Sequence, residues 1–272
     1  MKLSISNIAW KTEWDKEVYQ KLTELGFSAI EIAPLRTLAN GYDSTPEEYE
    51  TWLKAYSEYF SEIASMQSLL FKLDIHLFAS LDNVAFVLAI LKKGLIFASQ
   101  LNVRTLVFGS PTIRNVYSDQ EFEHSKVFFK QLADLAQFYD IQIALEPNPT
   151  IYNTNFINTT QEALDYVRLI NHPNLGINLD LGTIIENNEL IHDIINKEIS
   201  LWIKHVHISE PYLVSIKKEH AHLHVQLFNR LHEVGYNEYV SIEMKAGLEL
   251  NELFEVLEYI KAKQSEAGVL DE

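Results

Sequence analysis

The stretch Gln142-Ile143-Ala144-Leu145-Glu146 is a short aliphatic run that ends in a carboxylate. Runs of this length and composition favour a buried β-strand. Seven similar runs occur along the chain at start-to-start distances of roughly 25 to 40 residues, which is the size of one strand-plus-helix unit. The eight predicted strands are residues 3–9, 29–33, 63–67, 105–109, 142–146, 175–180, 203–208 and 239–243.

The segments between these runs carry features of helix starts. The four-residue segments that begin at Thr45, Ser118 and Thr159 each place a hydroxyl residue three positions before a glutamate, which is typical of a capping box. Strands that alternate with helices predict a parallel sheet. A doubly wound open sheet is the alternative, but the turn after the first strand, residues 7–12, lacks the glycines of a phosphate-binding loop.

We therefore predict an α/β fold with a single (βα)₈ barrel, in which eight parallel strands are ringed by helices. No linker rich in proline, glycine or serine divides the 272 residues, so the predicted domain spans residues 1–272. Residues 264–272 are predicted to form a frayed polar tail.

The composition limits the classes of function. The chain has 22 Lys+Arg against 38 Asp+Glu and a formal net charge of −16, which disfavours a nucleic-acid partner. It has no cysteine, which excludes disulfides, thiolate metal sites and cysteine nucleophiles and fits a cytoplasmic location. The N-terminus lacks the pattern of a signal peptide, and no apolar run approaches about 18 residues, so we expect no membrane partner.

Four candidate metal ligands stand at strand ends, where the active site of a (βα)₈ barrel lies. The fifth to eighth predicted strands carry, in order, Glu146, Asp180, His207 and Glu243. Three converging carboxylates repel one another, and burying even one unpaired charge costs several kcal/mol. These side chains therefore predict one divalent metal ion, and three oxygens with one imidazole suit Mn²⁺, Mg²⁺, Co²⁺ or Zn²⁺. His205 shares the inward direction of His207, but His207 lies nearer the strand end.

Further residues near strand ends are candidates for substrate binding. They are Trp10, Glu31, Gln67, Arg114, Thr183 and Lys245. Lys245 shares its strand direction with Glu243 and is a candidate for binding an anionic substituent. The triplet His220, His222 and His224 resembles a metal tract, but it follows the seventh strand in a predicted loop and helix start.

Five stretches of the chain match motifs of one known family. They are Ala29-Ile30-Glu31-Ile32, Ile143-Ala144-Leu145-Glu146-Pro147, Asn178-Leu179-Asp180-Leu181-Gly182, His205-Val206-His207-Ile208, and Gly235-Tyr236 leading to Val240-Ser241-Ile242-Glu243. In this order they resemble the xylose isomerase-like TIM barrel superfamily, in its sugar phosphate isomerase/epimerase branch. The resemblance covers nearly the whole chain and implies that the same quartet holds one divalent metal and that its two glutamates move the proton.

The chain departs from that family at two positions. Many of its sugar epimerases have a histidine three residues after the aspartate of the sixth strand, where this chain has Thr183. The basic residue that they place a few positions after the histidine of the seventh strand is not evident here. Both departures concern the ketohexose epimerase assignment and leave the predicted metal site unchanged.

The predicted function is that of a metal-dependent isomerase or epimerase in carbohydrate metabolism. It would act on a small sugar or polyol-like substrate by proton transfer through an enediolate, with Glu146 and Glu243 as catalytic residues. One alternative is a metal-dependent lyase, a dehydratase of an inosose-like substrate, and another is a non-catalytic sugar-binding barrel. An endonuclease for damaged DNA is disfavoured by the net charge and the single imidazole. Barrels of this type often dimerise, so a homodimer is among the expected assemblies.

Overall fold

The computed structural model describes residues 1–268. Its strands are short, and they lie where the eight apolar runs predict them. They are β1 (Lys2–Ile5), β2 (Glu31–Ile32), β3 (Ser65–Met66), β4 (Thr105–Phe108), β5 (Gln142–Leu145), β6 (Leu175–Asp180), β7 (Ile203–Ile208) and β8 (Tyr239–Ile242).

Helices connect the strands throughout the described part of the chain. The α-helices are α1 (Asp15–Glu24), α2 (Pro34–Thr37), α3 (Pro46–Tyr56), α4 (Leu81–Gln100), α5 (Asp119–Phe138), α6 (Thr160–Ile170), α7 (Leu181–Glu186), α8 (Ile191–Ile194), α9 (Lys197–Ser200), α10 (Ala221–Glu233) and α11 (Leu250–Glu266). Short 3₁₀ turns lie at Asn7–Ala9, Thr12–Trp14, Gly41–Asp43, Pro111–Ile113, Thr150–Tyr152, Pro211–Leu213 and Lys218–His220. None of the helices within residues 1–268 is long and apolar enough to cross a membrane.

All strand pairings are parallel, in the order β1-β8-β7-β6-β5-β4-β3-β2. A parallel bridge between Ser6 and Glu31 joins the two edges, so the sheet curls into a nearly closed barrel. This arrangement confirms the predicted (βα)₈ fold. β1, β2 and β3 are shorter than predicted. A 3₁₀ turn begins at Asn7 after β1, Pro34 begins α2 soon after β2, and Ser68 has a φ of 55° soon after β3.

The predicted helix starts are present. Thr45 begins α3 with a reciprocal capping box. Ser118 and Thr159 accept hydrogen bonds from the amides three residues further on. The glutamates of these two segments, however, accept from the amides of Tyr117 and Asn158, one residue before the cap. The two helices are therefore capped by a variant of the predicted box.

A shift in register between β6 and β7 aligns the site residues. Ile177 pairs with Ile203, but the next residue of β6, Asn178, pairs with His205, so β7 contains one extra residue. The chains approach closely here, since a Cβ at Gly176 would lie 2.2 Å from the carbonyl oxygen of Trp202. The shift sets two inward histidines of β7 beside the inward side chains of β6.

The hydrophobic core lies between the barrel wall and the helices around it. Phe108 of β4 packs against Phe128 and Phe129 of α5, with ring centroids 5.5 and 5.2 Å apart, and all three rings are fully buried. Such pairs stabilise a core beyond the area that they bury.

The C-terminal helix corrects the predicted tail. α11 continues to Glu266, and the buried side chain of Gln264 donates a hydrogen bond to the carbonyl of Met1. Residues 264–266 are therefore helical rather than frayed, because they cover the N-terminal end of the barrel. Residues 269–272 of the predicted tail lie outside the described residues.

Candidate metal centre

Four side chains from four successive strand ends meet at one point. Glu146 follows β5, Asp180 ends β6, His207 lies near the end of β7, and Glu243 follows β8. One possible ligand atom from each lies within 4.8 Å of the ligand atoms of the other three. The parallel strands produce this convergence because their carboxyl ends all face the same side of the barrel.

His207 is fully buried, and its two ring nitrogens face different groups. Nδ1 lies 3.1 Å from Oε1 of Glu146 and 3.2 Å from Oε2 of Glu243. Nε2 lies 3.0 Å from Oε2 of Glu31, on the opposite side of the ring. Burial opposes the charged form, but the carboxylates, Glu31 foremost, raise the pKa of His207 well above its usual value. In the absence of a cation the imidazole therefore carries a proton among these acids.

Both oxygens of Asp180 have hydrogen-bond partners. The amide of Thr183 donates to Oδ2 over 2.7 Å, and the hydroxyl of Thr183 lies 2.8 Å from the same oxygen. The hydroxyl of Ser209 donates to Oδ1 and also accepts from the amide of Gly182. These contacts fix the carboxylate at the junction of β6 and α7.

Glu146 is held in a similar way by two asparagines. Asn178 donates to Oε1 and Asn148 donates to Oε2, each over 2.9 Å. A Cβ at Gly109 would lie 2.6 Å from Oε2, so the glycine leaves room for this carboxylate. The orientation of Glu146 is therefore set from three neighbouring strands or their loops.

The carboxylates differ in their tendency to ionise. Burial raises the pKa of Glu243 to about 7 although His207 opposes it, and repulsion from Glu146 and Glu31 adds to the rise. Burial and repulsion from Glu146 also raise the pKa of Asp180. Burial likewise opposes ionisation of Glu146, but the contact with His207 outweighs it and lowers its pKa. The positive charge of one imidazolium is thus too small to keep all of these carboxyl groups ionised.

Arg114 is a buried cation close to this cluster. Its side chain is fully buried, and Nη2 donates to the carbonyl of Ile157 over 3.3 Å. Burial lowers its pKa to about 10, and attraction to Glu146 opposes that change. The guanidinium therefore stays charged at neutral pH and favours the ionised form of Glu146, although it lies outside the cavity wall.

The donor set fits a divalent metal ion. Three carboxylates and one imidazole are ligands that Mn²⁺, Mg²⁺, Co²⁺ and Zn²⁺ all accept. The side chains converge closely, and their own positive charge is insufficient, so a bound dication would relieve their repulsion. The buried cluster thus has the composition and the geometry of a metal site.

A cavity of about 510 Å³ opens above the cluster. Glu146, Asp180 and Glu243 form its floor, whereas His207 lies beneath them. Its walls come from the loops after several strands. They include Gln67, Phe71, Lys72, Asn148, Tyr152 and Leu213. A cavity of this size is suited to a small molecule, and the three carboxylates on its floor favour one with polar groups.

Some of the predicted substrate-binding residues lie at this cavity and others lie apart from it. Gln67 lines it, with Nε2 donating to Oγ of Ser6 over 2.9 Å. Trp10 lines a neighbouring cavity of about 560 Å³, which shares Phe71 and Lys72 with the first. Lys245 is exposed and is not among the described residues of the cavity wall.

Two further candidates are buried around the ligands instead of facing the cavity. The hydroxyl of Thr183 lies 2.9 Å from the carbonyl of Pro147, in addition to its contact with Asp180. Glu31 is fully buried inside the barrel, next to His205 and His207. Both side chains contact metal-ligand candidates, and both residues are almost completely buried.

Several residues of the site are absent from the sequence-based prediction. Asn178 lies two residues before Asp180 on the same strand, so the period of two was an available signal for it, whereas Asn148 lies in the loop after β5. Phe71 comes from a loop, and Tyr152 and Leu213 come from short 3₁₀ turns, which are too short for a periodic pattern to indicate the side chains that face the cavity.

The histidine triplet after β7 does not form a metal site among the described residues. Nδ1 of His220 lies 2.9 Å from Oε2 of the buried Glu210, and Nδ1 of His224 lies 3.0 Å from the hydroxyl of Tyr259. His222 is exposed on α10. The three histidines thus lie in a short turn and at the start of a helix, as predicted.

Comparisons with known proteins agree with this architecture. The family model of the xylose isomerase-like TIM barrel matches residues 19–263. A ketose 3-epimerase of Arthrobacter globiformis is 36% identical over 90 residues, which are 33% of this chain and 30% of that enzyme. The chain therefore matches less than a third of that relative's length.

Solved structures of sugar epimerases share the fold over almost all of the chain. A D-psicose 3-epimerase, crystallised in the presence of D-fructose, is similar with a TM-score of 0.75 and 17% identity, covering 100% of both chains. A D-tagatose 3-epimerase-like protein is similar with a TM-score of 0.76 and 19% identity, covering 98% of both. Together with the match over residues 19–263, the barrel shows that the chain belongs to the xylose isomerase-like TIM barrel family.

Proposed function

We propose that this protein is a divalent-metal-dependent isomerase or epimerase that acts on a small sugar or polyol-like substrate. The observation that carries the proposal is the convergence of Glu146, Asp180, His207 and Glu243 beneath a cavity of about 510 Å³. The carboxylates form a floor that a small polyhydroxylated molecule can reach. The names of the similar proteins, which are sugar 3-epimerases, point to the same class of reaction.

The two glutamates are the proposed proton carriers. A divalent cation held by Glu146, Asp180, His207 and Glu243 would supply positive charge that favours loss of a proton from the carbon next to a carbonyl. Glu146 and Glu243 come from β5 and β8, so they flank Asp180 and His207 from two sides. One removes the proton and the other returns it, either to the opposite face of the same carbon or to its neighbour.

The cavity walls are the proposed determinants of substrate binding. Gln67 and Asn148 offer amide groups for sugar hydroxyls, and Phe71 offers an apolar face. The hydroxyl of Tyr152 accepts from the amide of Tyr212 over 2.8 Å, which leaves its own hydrogen available to a ligand. Trp10 contributes through the neighbouring cavity, where a longer substrate would extend. The lack of cysteine fits a cytoplasmic enzyme.

The proposal is tested by hydrogen exchange in heavy water. Purified protein is stripped with a chelator, reloaded with Mn²⁺, Mg²⁺, Co²⁺ or Zn²⁺, and incubated in D₂O with a panel of ketopentoses and ketohexoses. Metal-dependent incorporation of carbon-bound deuterium without loss of water supports an isomerase or epimerase. Loss of one water from the product identifies a dehydratase instead. If no metal binds stoichiometrically and no sugar exchanges, the barrel is not a metal-dependent enzyme of this class.

A further inference from the structure

Glu31 is an ionisable side chain that the proposed reaction does not use. It lies in β2, fully buried inside the barrel beneath the quartet. Its Oε2 accepts a hydrogen bond from Ser65 over 2.6 Å and lies 3.1 Å from Nε2 of His205 and 3.0 Å from Nε2 of His207. Burying a carboxylate costs several kcal/mol unless polar partners compensate for the lost water. The cost of burying Glu31 beneath the quartet therefore calls for a functional explanation.

The contact between Glu31 and His207 determines which ring nitrogen faces the quartet. An imidazole nitrogen that donates its proton to a carboxylate cannot bind a metal ion at the same time. Nε2 is engaged by Glu31, so Nδ1 remains for the metal, and Nδ1 is the nitrogen that lies near Glu146 and Glu243. A ligand histidine that is oriented by a carboxylate on its far nitrogen binds metal more tightly.

The surroundings of Glu31 hold it in this position. His205 packs edge-on against the ring of His207, with centroids 5.1 Å apart and an interplanar angle of 88°. Nε2 of His205 also lies 3.1 Å from the hydroxyl of Ser65 and 3.0 Å from that of Ser241. The network therefore connects β2, β3, β7 and β8 below the metal centre.

We propose that Glu31 is a positioning residue that fixes the orientation and tautomer of His207 and thereby sets the metal affinity of the quartet. The inference rests on the proposed metal-dependent function. Glu31, His205 and His207 could themselves be read as a second cation site. Their separations of 3.0 to 3.1 Å are those of ordinary hydrogen bonds, and a cation there would take Nε2 away from Glu31.

The first test is a titration of metal-free protein with Co²⁺. Calorimetry measures the affinity, and the visible absorption of the bound ion reports its coordination. Glu31→Gln keeps the size of the side chain and removes its charge, so we expect Co²⁺ to bind roughly 10- to 100-fold more weakly with an altered spectrum. Glu238→Gln is the matched control, because it makes the same change of side chain at an exposed position just before β8, away from His207. Its affinity and spectrum should stay close to those of the wild type, and thermal unfolding of both metal-free variants checks the fold.

A second measurement uses the wild-type protein alone. In the Zn²⁺-loaded protein, ¹⁵N NMR of the imidazoles should show His207 with its hydrogen on Nε2 and the metal on Nδ1. Zinc on Nε2, a second tightly bound equivalent of Co²⁺, or equal losses of affinity in Glu31→Gln and Glu238→Gln would overturn the inference. Wild-type affinity in Glu31→Gln would overturn it too, whereas a wild type that binds no metal would overturn the proposed function itself.

Discussion

Oε2 of Glu243 lies 3.2 Å from Nδ1 of His207, at the floor of the cavity. A carboxyl group in this place is a candidate to move a proton, and such groups contribute about 10²–10⁴-fold to a rate. We expect Glu243→Gln to lower kcat by at least ~10²-fold with little change in the fold. Deuterium exchange measures the loss, and circular dichroism measures the fold. Glu238→Gln, at the exposed opposite end of the same strand, should keep full activity; equal turnover in both variants would remove Glu243 from the mechanism.

The affinity for metal should increase with pH. In the metal-free protein His207 has a raised pKa, and burial raises the pKa of Glu243 to about 7, so both hold protons that a cation must displace. Raising the pH through 7 removes the proton of Glu243 and so weakens this competition. We therefore expect Mn²⁺ to bind more tightly at pH 8 than at pH 6, with release of at least one proton. Calorimetry in buffers of different ionisation enthalpy measures both quantities, and equal affinity at the two pH values would contradict the assignment.

Gly176 should be intolerant of any side chain. A Cβ at this position would lie 2.2 Å from a backbone oxygen of Trp202, so Gly176→Ala forces β6 and β7 apart where the register shifts. We expect the free energy of unfolding to fall by about 1–3 kcal/mol or more. Gly247→Ala is the matched control, because nothing lies within 4 Å of its Cβ. Urea denaturation compares the two, and similar stabilities would show that the strands can separate freely.

His224 should make stability depend on pH. Burial is the largest cause that lowers the pKa of this histidine, to about 4, and nearby His220 and His222 lower it further. Between about pH 4 and 6.5 the unfolded chain binds a proton that the folded protein refuses, so the free energy of unfolding rises with pH across this interval. The contribution is about 3 kcal/mol when fully developed.

Replacement of that histidine tests the effect. His224→Gln should flatten the dependence of the unfolding free energy on pH between 4 and 6.5, as measured by urea denaturation at several pH values. His192→Gln, on the exposed surface of α8, should leave the slope unchanged. An unaltered slope in His224→Gln would mean that other groups cause the acid destabilisation.

The sequence predicted the barrel and the ligand quartet for the same physical reason. Aliphatic runs of strand length recur at the spacing of one βα unit, and a barrel brings the carboxyl ends of its strands to one rim. Glu146, Asp180, His207 and Glu243 are conspicuous there because ionisable residues are costly at the ends of buried strands. This pattern is local in sequence, so it can be recognised without knowing the conformation of the loops.

The surroundings of the quartet were harder to predict because they depend on register and on loops. Glu31 and Thr183 were assigned to substrate, yet both point at other side chains of the site, which only the packing between strands reveals. The extra residue in β7 shifts the pairing with β6, and strand alternation cannot locate such a bulge. Tyr152 and Leu213 reach the cavity from short 3₁₀ turns between the strands and helices, which are too short to show a pattern in the sequence.

The quartet comes entirely from β5 to β8, whereas much of the cavity wall comes from the segments that follow β3 and β4. The proposed chemistry and the proposed substrate selectivity are thus separated along the length of the chain. Changes in the earlier segments, such as a shorter turn around Phe71, would reshape the entrance and leave the later ligands in place. An engineer could exchange those segments between related barrels to redirect the proposed choice of sugar, with Glu31, Gly109 and Arg114 as early residues to keep.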